Sequence, residues 1–288
     1  MRPLVALIAV TAIWGITFVQ IKDALALYPL FAFLAVRFAI AVVVLAPFVI
    51  GRVRTLGRRG VATGLALGSL LAAGYGLQTA GLDRTTVSAA GFVTGMYVVL
   101  TPVFALVLFR VRAGARVWTG VALAVAGLTM LSGVGAGSPA GDLLVLAAAA
   151  LYAIQIVLME RYAPRYDPLA FTACEMAAAF VGFAALTVGA GELEVPRGWT
   201  VWGALLVTGV FASALAYLVQ AWAQRRTSAT RTALVFALEP VFAGIFGYAL
   251  AGDRLGAIGW GGCAVIMGGI AVAEPAAAQT LRGLVRRR

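Results

Sequence analysis

The chain has 288 residues, 62% of them hydrophobic and only 11% charged, and its mean hydropathy is +1.00. A soluble domain is nearer half apolar and a quarter charged, so this composition excludes a soluble enzyme built on a single core. The sequence contains no histidine, which removes Ser-His-Asp triads, Cys-His dyads and most zinc chemistry. Its two cysteines, Cys174 and Cys263, sit in apolar stretches and frame neither a disulfide scaffold nor a metal set. No metal, cofactor or catalytic residue is therefore expected. The net charge of +11 would suit a nucleic acid only if the basic residues shared one face. They are scattered between apolar runs, and no nucleic-acid partner is expected.

Crossing a bilayer takes about 20 mostly apolar residues. Ten such runs are predicted in chain order, at 3–21, 30–50, 61–82, 86–109, 117–134, 142–160, 168–190, 199–224, 228–250 and 256–273. The first has the apolar length of a signal peptide, but no soluble domain follows it, so it reads as a span. Cytoplasmic loops carry the excess of Lys and Arg. With the N-terminus inside, the inner segments hold seventeen of the 22 basic residues, among them Arg52, Arg54, Arg58, Arg59, Arg110, Arg112, Arg116 and the tail Arg282, Arg286, Arg287 and Arg288. The outer segments hold four, Lys22, Arg84, Arg197 and Arg254, and Arg37 lies inside a span. Both termini are expected in the cytoplasm, in contact with a lipid bilayer on every other side. Trp118, Trp199, Trp202, Trp222 and Trp260 fall near span ends, at headgroup level. Trp14 lies too deep for that belt. Abundant alanine and a single lysine point to a GC-rich bacterial genome and hence a bacterial inner membrane. Lipid-facing and partner-facing apolar surfaces look alike, so composition sets no oligomeric state.

The two halves of the chain can be laid on each other. Leu100-Thr101-Pro102-Val103-Phe104-Ala105 matches Leu238-Glu239-Pro240-Val241-Phe242-Ala243, and Gly114-x-Arg116 matches Gly252-x-Arg254 at the same offset. Upstream, Tyr75-Gly76-Leu77-Gln78 matches Tyr217-Leu218-Val219-Gln220. Each half then holds five spans. Five is odd, so the second copy enters the membrane from the opposite side, which is the inverted-repeat plan of many secondary transporters. The expected fold is all-α and integral to the membrane, with a first repeat over 1–136, a second over 137–276 and a basic tail over 277–288.

At these residues the chain resembles the EamA family of the drug/metabolite transporter superfamily. Ala12-Ile13-Trp14-Gly15-Ile16-Thr17-Phe18 is similar to that family's opening motif, and Arg37 falls where its second helix usually carries arginine. Leu238 to Ala243, followed by Ala251-Gly252-Asp253-Arg254-Leu255, resembles its ninth-to-tenth helix signature. The first copy departs from the pattern, with Ala115 where an acid is usual and Thr101 in place of the acid before proline. The resemblance implies export of small metabolites and includes amino-acid exporters of the same ten-helix form.

Candidate substrate-binding residues follow from depth and spacing. Trp14 and Phe18 are four apart and share a helical face. A midplane Trp N–H is disfavoured against lipid, so the pair is expected to line a cavity. Tyr75 with Gln78 and Tyr217 with Gln220 are each three apart, and an intramembrane Gln needs a partner or water. The inferred topology places the first pair toward the outer approach to the site and the second toward the inner approach, with interhelical hydrogen bonding as the equally weighted alternative. Tyr152 and Gln155 match the first-span aromatics in depth. Thr232, Phe236 and Glu239 share one face, as do Thr94, Tyr97 or Val98, and Thr101 in the sister helix. Of the intramembrane charges, Arg37 reads as structural, with Glu175 its candidate ion-pair partner. Glu239, beside Pro240, is the candidate for a substrate ammonium or a proton. Gly64-x-x-x-Gly68 and Gly91-x-x-x-Gly95 read as helix-packing sites.

The expected function is secondary transport of small organic metabolites by alternating access, with apolar or aromatic amino acids leading and protons as a candidate coupling ion. A drug or sugar-nucleotide carrier of the same superfamily is the alternative, although one intramembrane cation is poor provision for polyanions. A membrane-embedded enzyme would need a cluster of His, acids or metal ligands at one depth. A channel is more often built from several subunits around a pore.

Overall fold

A computed structural model describes residues 2–85, 87–132, 138–246 and 256–273. Among them there is no β-strand, and thirteen α-helices make ten crossings. The first five crossings are α1 (Arg2–Leu25), α2 (Leu30–Val49), α3 (Gly57–Arg84), the pair α4 (Val87–Gly95) and α5 (Tyr97–Phe109), and α6 (Ala115–Ser132). The second five are α7 (Pro139–Tyr162), α8 (Pro168–Ala190), a composite eighth, a broken ninth and α13 (Ala257–Ala273). The eighth joins α9 (Gly198–Leu206) to α10 (Ala216–Gln224) through a π-helical stretch, Val207–Leu215. The ninth is split into α11 (Ala229–Phe236) and α12 (Glu239–Phe246). The connector around Gly137, the Ala251–Leu255 motif and the tail over 277–288 lie outside the described residues.

Local chemistry explains the ends. Asp167 caps α8, its carboxylate accepting from the Ala170 N–H at 3.0 Å, and Pro168 supplies a first helical residue that needs no N–H partner. The same helix stops at Gly191, whose φ of 71° closes its last turn. In the ninth crossing, Pro240 offers no N–H to the carbonyl four residues back, which belongs to Phe236, and α11 ends there.

Packing follows the repeat. α2 lies on α8 and α6 on α13, each helix meeting its own counterpart. α3 packs on α7 and α8, and correspondingly the eighth crossing packs on α1 and α2. The broken fourth crossing leans on α7, and the broken ninth on α1. This is the contact pattern of two halves exchanged by a two-fold axis. Glycines make it possible at two equivalent places. A Cβ on Gly68 would run into the Glu175 main chain, its carbonyl oxygen first and its Cα at 2.6 Å. A Cβ on Gly209 would stand 2.9 Å from the Arg37 carbonyl oxygen. Gly64 belongs to the same contact, where a Cβ would stand 2.8 Å from the Cys174 Cβ. The second glycine pair behaves differently: a Cβ on Gly95 would stand 2.9 Å from Leu128, whereas one on Gly91 would meet nothing within 4 Å.

The loops gather on two faces. On one, Lys22 donates to the Thr85 carbonyl at 2.6 Å, the Thr85 hydroxyl donates to Asp142 at 2.7 Å, and Glu192 accepts from the Phe31 N–H at 2.9 Å. On the other, Arg52 pairs with Asp167 at 3.4 Å and Glu160 accepts from the Ala229 N–H at 2.8 Å. Arg54, Arg58, Arg110, Arg112, Arg161 and Arg225 join this second face, leaving the first poor in cations. Between the faces the outer surface is apolar, with Val43, Phe48, Val107, Val181 and Ile258 exposed, as lipid-facing helices require. Trp199 is 79% exposed at a span end, where an amphipathic ring belongs.

Candidate functional site

One cavity lies between the halves and holds about 640 Å³ of space not filled by protein atoms, its mouth included. Eleven of the twelve candidate residues line it: Trp14, Phe18, Tyr75, Gln78, Tyr97, Tyr152, Gln155, Tyr217, Gln220, Phe236 and Glu239. Both repeats contribute. Thr101 does not line it, since its buried hydroxyl donates to the Tyr97 carbonyl one turn back, at 2.7 Å. A threonine in a helix has that bond always within reach, and sharing a face with Tyr97 was not enough to bring it to the cavity.

The wall is aromatic on one side. The Trp14 ring meets Phe236 edge-on at 4.8 Å and Tyr217 at 5.7 Å, and its indole N–H donates to the Ala212 carbonyl at 2.9 Å. That acceptor sits in the π-helical stretch of the eighth crossing, so the deep tryptophan is satisfied by backbone and not by lipid. Phe18 closes the wall toward Leu82.

For the tyrosines the structure shows the interhelical hydrogen-bonding alternative. Tyr75 and Tyr217 do not guard separate approaches. Their hydroxyls meet at 3.1 Å, Tyr217 donating to Tyr75, because long phenol arms at equivalent positions of an inverted repeat reach the axis from both sides. The glutamines do divide between the two sides. Gln78, within two turns of the Arg84 end of α3, accepts from the Tyr152 hydroxyl at 3.0 Å and donates to Thr94 at 3.1 Å. Gln220, one turn from the opposite face, donates to Gln155 at 3.0 Å and to Gln224 at 2.8 Å. Gln224 in turn donates to the Ile156 carbonyl at 2.8 Å. Lining residues reach Ile21 and Leu82 toward the cation-poor face, while the Gln155–Gln220–Gln224 chain ties α7 to α10 toward the other.

The two intramembrane charges of the second and seventh crossings are not an ion pair. Arg37 donates from Nε to Ser213 at 2.9 Å and from Nη2 to the Tyr75 hydroxyl at 3.1 Å, and Glu175 accepts from Gln155 at 3.2 Å. Inversion explains the separation. Each residue lies about 10 Å along its helix from the helix start, but the two starts are on opposite faces, so the charges straddle the midplane. Arg37 also lines the cavity, as do Thr17, Ile21, Thr79, Leu82, Thr94 and Ile156, none of which was a candidate. Of these, the sequence singles out Arg37 as structural, Thr17 within the opening motif and Thr94 through its spacing from Tyr97 and Thr101. The breaks in the fourth and ninth crossings meet here: Tyr97, the first residue of α5, donates to Glu239, the first of α12, at 3.3 Å. Broken helices facing a midplane cavity are where transporters place their substrate contacts. Among the described residues no group of His, Cys, Asp or Glu is arranged to hold a metal ion.

The EamA-like transporter family matches this chain twice, over residues 1–133 and 139–273. The chain belongs to that family. The transporter is 33% identical over 261 residues to an uncharacterized transporter of Archaeoglobus fulgidus, covering 90% of this chain and 81% of that one. It is 29% identical over 273 residues to the uncharacterized inner membrane transporter YedA of Escherichia coli K12, covering 91% and 87%. A solved crystal structure superposes with a TM-score of 0.79 over 100% of this chain and 99% of the other, at 19% identity. At that identity the likeness concerns the fold. The transporter is therefore a multi-pass membrane protein acting on a small-molecule substrate in the bilayer.

Proposed function

We propose that this transporter exports small organic metabolites, with apolar and aromatic amino acids first among them, by alternating access around the central cavity. The observation behind this reading is the composition of the wall, where the Trp14, Phe236 and Tyr217 rings stand in one cavity with the Glu239 carboxylate and the Gln155 and Gln220 amides. Rings suit an apolar side chain through offset and edge contacts. The amides suit the polar end of a zwitterion, and the acid suits an ammonium or a proton. Twofold-related halves with the cavity between them suit a rocking exchange of access. In purified proteoliposomes, saturable counterflow of labelled phenylalanine, leucine or tryptophan is expected. Flux confined to nucleosides, sugars or drug-like cations would replace amino acids as the substrate class, and non-saturable flux would favour a channel.

The transporter is proposed to sit in a bacterial inner membrane with the cation-rich face, and both termini, in the cytoplasm. The two native cysteines are buried and unlinked, which gives a low labelling background. An Arg197→Cys variant is expected to react with a membrane-impermeant maleimide added to intact cells, and an Arg58→Cys variant only after lysis. The reverse pattern would invert the topology.

A further inference from the structure

Arg37 is 1% exposed and borders the cavity, yet its hydrogen bonds go only to neutral hydroxyls. Ser213 takes Nε and Tyr75 takes Nη2, while the buried Nη1 has no partner. No ion pair shown among the described residues involves Arg37, so it has no carboxylate counter-ion there. A guanidinium stays charged, and a buried cation without an anion is costly for a fold to keep. What partly offsets that cost is the Tyr75 ring, 4.4 Å from the guanidinium carbon, and the Phe38 ring at 5.5 Å. The outer edge of the guanidinium, Nη1 with Nη2, is thus the part least committed to the protein.

We propose that Arg37 is the carboxylate-binding residue of the cavity, taking a monocarboxylate substrate on its Nη1–Nη2 edge as the Tyr75 hydroxyl gives way. The assignment rests on the carrier reading above and narrows it to substrates that bear a carboxylate. The fork of two parallel N–H donors matches the two oxygens of a carboxylate, and charge-assisted bonds of this kind outcompete the neutral hydroxyl now at Nη2. The exchange has a structural consequence. Tyr75 is bonded to Tyr217 of the other repeat, so a carboxylate that displaces Tyr75 loosens a contact between the halves. Gly209 helps set the geometry, since only a residue without Cβ lets the π-helical stretch approach α2 closely enough for Ser213 to hold Nε.

The test is a calorimetric binding series on the detergent-purified full chain with phenylalanine, 3-phenylpropionate, phenylalaninamide and phenethylamine. The two carboxylates are expected to bind about tenfold or more tightly than the amide and the amine. Arg37→Gln is expected to erase that preference by weakening the two carboxylates and tightening the amine, whose ammonium no longer meets a second cation, and Arg37→Lys to keep part of it. A strut that merely positions Ser213 and Tyr75 would weaken all four probes alike, and that result overturns the proposal. Equal binding of phenylalanine and phenylalaninamide overturns it too, and needs no variant to fold. Saturable counterflow of a metabolite lacking a carboxylate would sink this assignment while leaving the carrier reading intact. Loss of saturable flux for every class would sink the carrier reading first.

Discussion

Gly68→Leu is expected to leave little folded transporter in the membrane. A side chain there has no route of escape, because the atoms in its way are the Glu175 carbonyl oxygen and Cα rather than a flexible side-chain end. Overpacking a core commonly costs about 1–3 kcal/mol when neighbours can shift. Moving α8 off α3 would in addition disturb the buried Glu175 and its bond to Gln155, so about 3 kcal/mol or more is expected. Gly68→Ala carries the same Cβ and should be damaging as well. Gly91→Leu is the control, since that glycine has open space around it and a change of about 0.5 kcal/mol or less is expected. Thermal unfolding midpoints of the detergent-purified variants would decide, and equal midpoints for Gly68→Leu and wild type would refute the close approach of the two helices. Both glycines belong to a Gly-x-x-x-Gly pattern in the sequence. Only the packing separates the one that is filled from the one that is not.

That contrast shows where sequence reading reached and where it stopped. Hydropathy, charge asymmetry and turn residues located all ten crossings, and the seventh coincides with Pro168–Ala190 at both ends. The third was read too short at each end, at 61–82 against Gly57–Arg84, because glycines and arginines dilute its ends below a membrane-like hydropathy. Depth and helical face brought eleven residues to one cavity. What depth cannot supply is the direction of approach between helices. For Tyr75 and Tyr217 the spacing leaves separate approaches and interhelical hydrogen bonding equally open, and the structure shows the second; Arg37 and Glu175 match by offset, but inversion sends equal offsets to opposite sides of the midplane. The break at Met96 and the π-helical stretch at Val207–Leu215 contain no proline, so neither carries the marker that Pro240 gives the ninth crossing.

Glu239→Gln is expected to preserve exchange of substrate and to abolish its response to an imposed pH gradient. The side chain is 8% exposed and stands at the start of α12, where the helix dipole favours an acid, and among the described residues its carboxylate accepts from the Tyr97 hydroxyl at 3.3 Å. The ionisable groups that share its cavity are Arg37 and the tyrosines Tyr75, Tyr97, Tyr152 and Tyr217. None of the tyrosines has an ordinary charge change in the physiological range, and a guanidinium does not titrate there. Glu239 is then the group in the wall able to bind and release a proton as the cavity changes its exposure. Glutamine keeps the volume and an oxygen for the Tyr97 hydroxyl, so the broken-helix junction should survive. Glu239→Lys, which would set a second cation in a cavity already holding Arg37, is expected to cut flux by about tenfold or more through the energy of burying an unpaired charge. Counterflow and gradient-driven uptake in the same proteoliposomes separate the two roles. If the glutamine variant keeps its full pH response, proton coupling belongs to another group, and Glu175, buried behind Gln155, becomes the residue to replace next. If it loses counterflow together with the pH response, Glu239 contacts the substrate itself, at the ammonium end of a molecule whose carboxylate lies at Arg37.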